Sequence, residues 1–391
     1  MRLAAGALAA DRAPPVTARP VLVAGAGPAG LATAASLKRH GVECTLVEQA
    51  DSVGAAWQGR YDSLRLHTAR WLSALPGTRI PRRYGTWVAR DDLVTYLRDY
   101  AATHDLRPEL GVEVRRVDRP QGGTGWLVRT SDGDRAAEAV VMATGYSRTP
   151  YLPDWPGAAS FRGTLIHSSA YREPSPYAGQ DVLVVGAGNS AAEIALDLVG
   201  TASKVHLAVR TPPNIVRRDT FGVPSQLLGI ALKRAPERLM NPLSRTLRRI
   251  SVPDLTDRGL PAPPGDGFTQ FLRTRTVPIL DHGFVQAVRD GSIGVVPAVV
   301  GLTEDGVRLS DDSVHRPDAV IAATGFRPRL EPLVGHLGVL DERGIPLVHG
   351  ERTLPDAPGL HFVGIQVELS GLLREIAREA RAVGRHLATA T

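Results

Sequence analysis

Short, continuous apolar runs alternate with glycine-rich turns and stretches of helical periodicity. "PVLVAGAGPAGLATAASLKRHGVECTLVEQA" reads strand, turn, helix, strand, and its run Val21–Ala24 is apolar throughout, as in a strand buried on both faces. "DVLVVGAGNSAAEIALDLVGTASKVHLAVR" repeats the plan from Asp181. Each copy later reaches an apolar strand ending in Ala-Thr-Gly, Ala139–Tyr146 and Ala319–Phe326, followed by a proline-rich exit. Valine-rich stretches punctuated by Gly and Asp precede both and predict meander strands. Near the end, Leu373, Ile376, Ala380, Val383 and Leu387 keep the spacing of an amphipathic helix. The expected fold is therefore α/β, with two Rossmann-like dinucleotide-binding domains, one inserted into the other. Residues 19–160 and 325–391 are assigned to the outer domain, and 161–324 to the inner one, with a basic insertion around 225–275. Residues 1–18 are expected as a disordered tail.

Composition narrows the function. The 391 residues exceed one ordinary core, and 43% hydrophobic with 22% charged residues is a globular balance. No apolar run reaches a membrane span, and the Ala/Leu run at the start is broken by Asp11 and Arg12, so the expectation is a cytoplasmic protein without membrane association. The net charge of +6 comes almost entirely from scattered arginines, and aromatics are only 5%, so nucleic acid is not an expected partner. The partly amphipathic, basic 225–250 stretch is read as a solvated insertion or lid, with a membrane-surface helix as the alternative. A single cysteine, Cys44, excludes an intrachain disulfide, a Cys-x-x-Cys redox pair and a cysteine-ligated iron–sulfur cluster; it is expected as a buried small hydrophobe.

The glycine loops carry the first chemistry. In Gly25-Ala-Gly27-Pro28-Ala29-Gly30, Gly25 permits the tight turn, Gly27 lets backbone approach a pyrophosphate, and Gly30 lets helix and strand pack closely. Glu48, 21 residues beyond Gly27, is placed to take a ribose diol. The second loop is Gly186-Ala-Gly188-Asn189-Ser190-Ala191. At its matching strand end, 22 residues beyond Gly188, stands Arg210, with Thr211 beside it. A carboxylate repels a ribose 2′-phosphate and a guanidinium attracts one. The first site is thus expected to hold a bare ribose and the second NADP. A flavin and a nicotinamide sharing one hydride path follow. Without a dithiol, the electrons leave to oxygen, a small organic acceptor or a partner protein.

Between the loops lies Phe161-x-Gly163-x-x-x-His167-x-x-x-Tyr171-Arg172. This resembles the fingerprint of class B flavoprotein monooxygenases, and its Tyr-Arg ending is similar to the flavin-containing monooxygenases. "WQGRYDSLRLH" (Trp57–His67) and "TVPILDHGFVQAVRDGSI" (Thr276–Ile293) look like the YUCCA-type indole-3-pyruvate monooxygenases and their bacterial relatives. The resemblance covers nearly the whole chain from about residue 19. It implies that FAD is reduced by NADPH, that O2 adds at flavin C4a to give a (hydro)peroxyflavin, and that one oxygen atom passes to a small organic molecule. N- or S-oxygenation, or a YUCCA-like oxidation of a 2-oxo acid, is favoured. A Baeyer–Villiger monooxygenase, or an NADPH oxidoreductase or electron-transfer flavoprotein without oxygenation, is the alternative.

By the same resemblance, FAD is expected along the first loop, Glu48, Gln49, Trp57, Gln58, Arg65, Leu66, Val114, Ala143, Thr144, Gly145, Gly364 and Gly371. NADP is expected along the second loop, Arg210, Thr211, Ala323, Thr324 and Gly325. Phe161, Gly163 and His167 are given a domain-coupling role rather than an acid/base role. His67 stands where many relatives place an Asn near the flavin edge, and is the catalytic candidate. The Pro-Lys that follows in YUCCA-type enzymes is replaced by "TARW". No metal is expected.

Overall fold

A computed structural model describes residues 20–120, 124–220, 222–232, 253–261, 277–366 and 368–390. The expected tail and residues 233–252 of the basic stretch lie outside the described residues.

Strand β1 (Val21–Ala24) enters the first glycine turn, and helix α1 (Pro28–Arg39) leaves it, with proline at a helix start that needs no N–H. β2 (Cys44–Glu48) returns parallel to β1. A short helix α2 (Ala55–Gln58) and the longer α3 (Arg90–Thr103) follow. Next come β3 (Glu109–Leu110) and the antiparallel meander β4 (Val114–Asp118), β5 (Trp126–Thr130) and β6 (Gly133–Ala137). β7 (Val140–Met142) then joins β1 on its other side. The strand β8 (Thr149–Pro150) leads out to β9 (Thr164–His167).

The second copy repeats the plan with β10 (Asp181–Val185), α4 (Asn189–Leu198) and β11 (Lys204–Ala208). β12 (Ile215–Arg217), the hairpin β13 (Asp219–Thr220) and β14 (Val223–Pro224), α5 (Ser225–Leu232) and β15 (Ile279–Asp281) extend it. After α6 (Phe284–Asp290) and β16 (Gly294–Val296), a second antiparallel meander forms from β17 (Val299–Leu302), β18 (Val307–Leu309) and β19 (Val314–His315). β20 (Ala319–Ala322) closes the second sheet, and β21 (Phe326–Arg327) pairs with β8, so the two exits from the Ala-Thr-Gly segments run side by side. The helix α7 (Glu331–Val334), β22 (Leu360–Phe362) and the long α8 (Leu372–Ala390) complete the chain.

Both main sheets are five-stranded and parallel, in the orders β22-β7-β1-β2-β3 and β16-β11-β10-β20-β9. The first takes strands from 21–142 and 360–362, the second from 164–322. β1, β7 and β20 are buried along their whole length, which is why they read as unbroken apolar runs; β22 is equally buried but carries His361 at its centre. Leu373, Ile376, Ala380, Val383 and Leu387 of α8 are all buried in one core with α1 and α3. Gly384 sets the closeness of that packing, since a Cβ there would stand 2.9 Å from the Cβ of Ser36 in α1. Cys44 is half-buried at the start of β2, and burial pushes its thiol up to about 11, so it is an inert thiol.

Candidate functional site

In the first loop, Gly25 holds φ +109, and a Cβ there would meet the Ala143 carbonyl oxygen at 2.7 Å. In the second, Gly186 holds φ +143, and a Cβ would meet the Ala323 oxygen at 2.4 Å. Each Ala-Thr-Gly segment therefore presses its backbone against the first glycine of its own loop, which explains why the two signals recur together. Gly27 and Gly188 cap α1 and α4, and neither has a neighbour within 4 Å of a built Cβ. That space, in front of a helix N-terminus with free N–H groups, fits a pyrophosphate at both loops. The third loop position differs between the copies. A Cβ on Gly30 would fall 1.6 Å from the Gly25 oxygen, whereas Ala191 is accommodated and fully buried.

Glu48 sits at the end of β2 with its carboxylate turned back over the loop. It accepts from Ala26 N–H at 2.6 Å and from Ala50 N–H at 2.9 Å. A carboxylate has about four lone-pair positions, so this one has capacity left for a diol. Thr144 Oγ1 is buried without a hydrogen-bond partner beside the loop. Arg210 and Thr211 are exposed at the end of β11. Asn189 turns its side chain away from the cradle, donating to Pro278 O at 3.0 Å and accepting from Leu280 N–H at 2.8 Å.

Other expected contacts are committed elsewhere. Leu66 is buried in the core and its N–H donates to Val88 O at 2.8 Å. Arg65 is exposed and donates to Trp87 O at 3.3 Å. Val114 packs in the core under the first meander, and Gln49 is exposed. Trp57 and Gln58 lie half-buried on α2, Trp57 against both main cores. Gly364, at φ +72, fits between Ala29 and Ile376. Gly371, at φ +98 ahead of α8, meets Thr68 and Gln226 instead of open space. The first turn of α8 already carries an acid, Glu375.

Of the fingerprint residues, His167 and Tyr171 are buried, Phe161 and Gly163 are half-buried, and Arg172 is exposed. Gly163 is obligatory because a Cβ would strike the Asp318 oxygen at 2.7 Å and the Phe161 ring at 2.5 Å. His167 Nδ1 accepts from Ser169 N–H at 3.1 Å, which leaves Nε2–H to donate to Gly325 O at 2.9 Å. Burial, with Arg60 nearby, holds its pKa below the ordinary imidazole value, so it is a neutral strut. Tyr171 is fully buried and donates to Asp197 Oδ2 at 2.8 Å. Arg172 donates to Gly59 O, and its own carbonyl accepts from Asp62 N–H at 2.8 Å. Arg172, through these two bonds, and Tyr171, whose ring lies 6.3 Å from that of Tyr61, fasten the 164–322 unit to the 57–67 segment of the first.

That segment leads to the site's polar centre. Tyr61 donates to Glu193 Oε2 at 2.5 Å, and His67 Nε2 lies 2.6 Å from Glu193 Oε1. His282 Nε2 stands 3.6 Å from the same oxygen. Glu193 is only 9% exposed, one turn inside α4 and therefore close behind the second glycine cradle. Burial opposes its ionisation, yet His67, His282 and Tyr61 together hold it well below the usual carboxylate range. Burial likewise opposes a charged His67, but the Glu193 carboxylate outweighs it and its pKa is raised. Burial and the same carboxylate push the Tyr61 phenol far up, keeping it a donor. The result is an ion pair joining the two units, with His67 at 31% side-chain exposure.

Arg218 flanks this pair. Its guanidinium lies over the Trp87 ring at 4.7 Å, and its Nε is buried without a hydrogen-bond partner. Burial pulls its pKa below the ordinary value, with Glu193 among the carboxylates that oppose this. Gln226 of α5 closes the other side, accepting from Ala69 N–H at 3.0 Å and donating to Ser370 O at 2.6 Å.

Of these residues, sequence reasoning found His67 but missed Glu193, Arg218 and Gln226. One signal was present: Glu193 interrupts the apolar stripe Ala191, Ala192, Ile194, Ala195, where an unpaired carboxylate is too costly to bury. Nothing local marked Arg218 among the many arginines.

The family profile described as "Pyridine nucleotide-disulphide oxidoreductase" matches residues 22–221. Indole-3-pyruvate monooxygenase YUCCA1 of Oryza sativa subsp. japonica is 34% identical over 347 residues, covering 88% of this chain and 86% of its own. Indole-3-pyruvate monooxygenase YUCCA8 of Oryza sativa subsp. indica is 33% identical, covering 83% and 80%. Among solved structures, a double mutant of a flavin monooxygenase from Stenotrophomonas maltophilia matches with a TM-score of 0.73 and 26% identity, over 95% of this chain and 99% of that one. Among the described residues, no helix is long and apolar enough to cross a membrane.

Proposed function

We propose, for a chain that belongs to the pyridine nucleotide-disulphide oxidoreductase family and within it to the YUCCA-type flavin monooxygenases, that the substrate is an aromatic 2-oxo acid. The enzyme is an NADPH-dependent flavin monooxygenase, with FAD and NADP as its cofactors. The name of its family does not extend to disulfide chemistry here, because the chain has one cysteine, and that thiol is half-buried.

The observation that carries the reading is the Tyr61–Glu193–His67 junction, which sets the FAD-side segment 57–67 against the helix behind the NADP cradle. The Gly25–Gly30 loop and Glu48 hold the FAD pyrophosphate and ribose. The Gly186–Ala191 loop holds NADP, with Arg210 selecting its 2′-phosphate. Bound FAD supplies the centre that takes hydride from NADPH and activates O2. The protein's part is to keep that meeting point ordered and dry. Glu193 fixes the His67 ring through Nε2, and the charged ring then offers Nδ1–H as a donor at the junction. Arg218, charged and with an unused Nε–H, is suited to the substrate carboxylate, and Trp87 holds its plane. One oxygen atom enters the oxo acid, CO2 leaves, and the other oxygen is reduced to water.

The test is oxygen uptake, NADPH oxidation, CO2 and H2O2 measured together with indole-3-pyruvate, phenylpyruvate, an amine and a sulfide. An oxo acid should raise uptake with matching CO2 and little H2O2, and NADPH should be far preferred over NADH. Coupling to the amine or sulfide alone sinks the substrate reading, and equal use of both nucleotides sinks the Arg210 role. In Arg218→Gln, KM for the oxo acid should rise by about 10- to 100-fold, the loss of one charge-assisted hydrogen-bonded pair.

A further inference from the structure

At the opposite end of the second sheet from its glycine loop, three metal-competent side chains converge. Asp181 opens β10, His206 lies in the middle of β11, and His315 ends β19 of the second meander. One carboxylate oxygen, Asp181 Oδ1, faces both imidazoles: His206 Nδ1 at 3.3 Å and His315 Nε2 at 3.2 Å. The donor atoms all lie within 4.8 Å of one another, and the rings stand edge to face with centroids 4.3 Å apart.

We propose that Asp181, His206 and His315 form a binding site for a divalent transition cation of the zinc type, with water as the remaining ligand. Bonds of about 2.0–2.2 Å around a tetrahedral zinc ion separate neighbouring ligand atoms by about 3.3–3.6 Å. The two observed nitrogen–oxygen separations are already close to that edge, and rotation of an imidazole closes the third. Two imidazoles with one carboxylate are a donor set that suits zinc and its neighbours over calcium or magnesium. All three side chains are partly buried, at 19%, 23% and 17% exposure, which leaves a way in for the ion and for a water ligand.

The surroundings are shaped for the cluster. β16 places Gly294 directly opposite His206, and a Cβ there would stand 2.7 Å from the His206 ring. Asp318 Oδ2 accepts from Asp181 N–H at 2.8 Å and fixes the start of β10. A cation here clips β10 and β11 of the main sheet to the β17–β19 meander. It lies about 15 Å of strand away from the cradle after Val185, so its role is to hold the fold and not to take part in the oxygenation.

The test uses chelator-treated, full-length, flavin-loaded enzyme titrated with zinc sulfate against a chromophoric chelator, followed by thermal unfolding. One saturable site per chain is expected, with a melting temperature raised by several degrees. His206→Asn and His315→Gln should each weaken binding at least tenfold and abolish the thermal shift, with the rate of NADPH oxidation unchanged. Cobalt(II) should give the strong visible bands of a tetrahedral nitrogen–oxygen site in the parent enzyme, a readout that does not depend on either variant folding. Absence of a saturable site, equal zinc affinity in the parent and the double variant, or an octahedral cobalt spectrum would each overturn the proposal and leave the cluster as a hydrogen-bonded clip.

Discussion

At the scale of single residues, the Glu193–His67 pair makes function depend on pH in a definite direction. The ordinary imidazole value is 6.5, and the folded value lies above it. That contribution is complete below about pH 6.5 and is lost as pH rises through the raised value. Glu193 is depressed from 4.5, so its contribution is present above about pH 4.5 and is lost as pH falls through the folded value. The tie is therefore strongest between these limits and weakens first on the alkaline side. Glu193→Gln removes the charge that holds His67 protonated. The alkaline limb of coupled turnover should move to lower pH, and unfolding free energy should fall by about 1–3 kcal/mol, the cost of a disrupted buried polar network. A pH profile identical to the parent's would show that His67 plays no part at the junction. Tyr61→Phe should leave that limb nearly in place, since its phenol donates whichever state His67 is in.

At the scale of elements, the two strand–turn–helix units look alike in sequence but use their third loop position differently. Gly30 touches the backbone of its own loop, whereas Ala191 has room. Gly30→Ala should therefore block the turn, and the protein should be recovered without flavin or not at all. Ala191→Gly should fold and bind NADP, losing only about 1 kcal/mol from helix propensity. Flavin absorbance per chain and the melting temperature separate the two outcomes. A flavin-replete Gly30→Ala enzyme would contradict the packing described here. The paired Ala-Thr-Gly segments belong to this scale as well, because each is the surface against which a first glycine is pressed.

At the scale of the molecule, the contacts between the two units among the described residues include the β8–β21 pairing, Trp57 against both cores, and the polar contacts of Arg172, the Glu193 cluster and Gln226. Gln226 is 7% exposed and bridges Ala69 with Ser370, just ahead of α8. Gln226→Ala leaves a buried N–H and a buried carbonyl without their partner, which costs about 1–3 kcal/mol. The junction should loosen while both glycine cradles stay intact. FAD content should hold, and the share of electrons lost as H2O2 should rise. A variant that keeps the parent's coupling would mean that water is excluded by other contacts.

The sequence by itself determined the two dinucleotide units, the α8 stripe, and the opposite charges at Glu48 and Arg210. Those features are local: a glycine's backbone freedom, a buried strand's unbroken apolar run and a helix's spacing act over a few residues, and each leaves its mark where it acts. The resemblance carried by the fingerprint supplied the oxygen chemistry. Only the tertiary structure decided what His67 pairs with. Its partner Glu193 is 126 positions away, Tyr61 reaches the same carboxylate across 132, and Gln226 lies 157 from Ala69. Such pairings arise when separately folded surfaces meet, so their cause is the packing of the two units and no short stretch of chain encodes it.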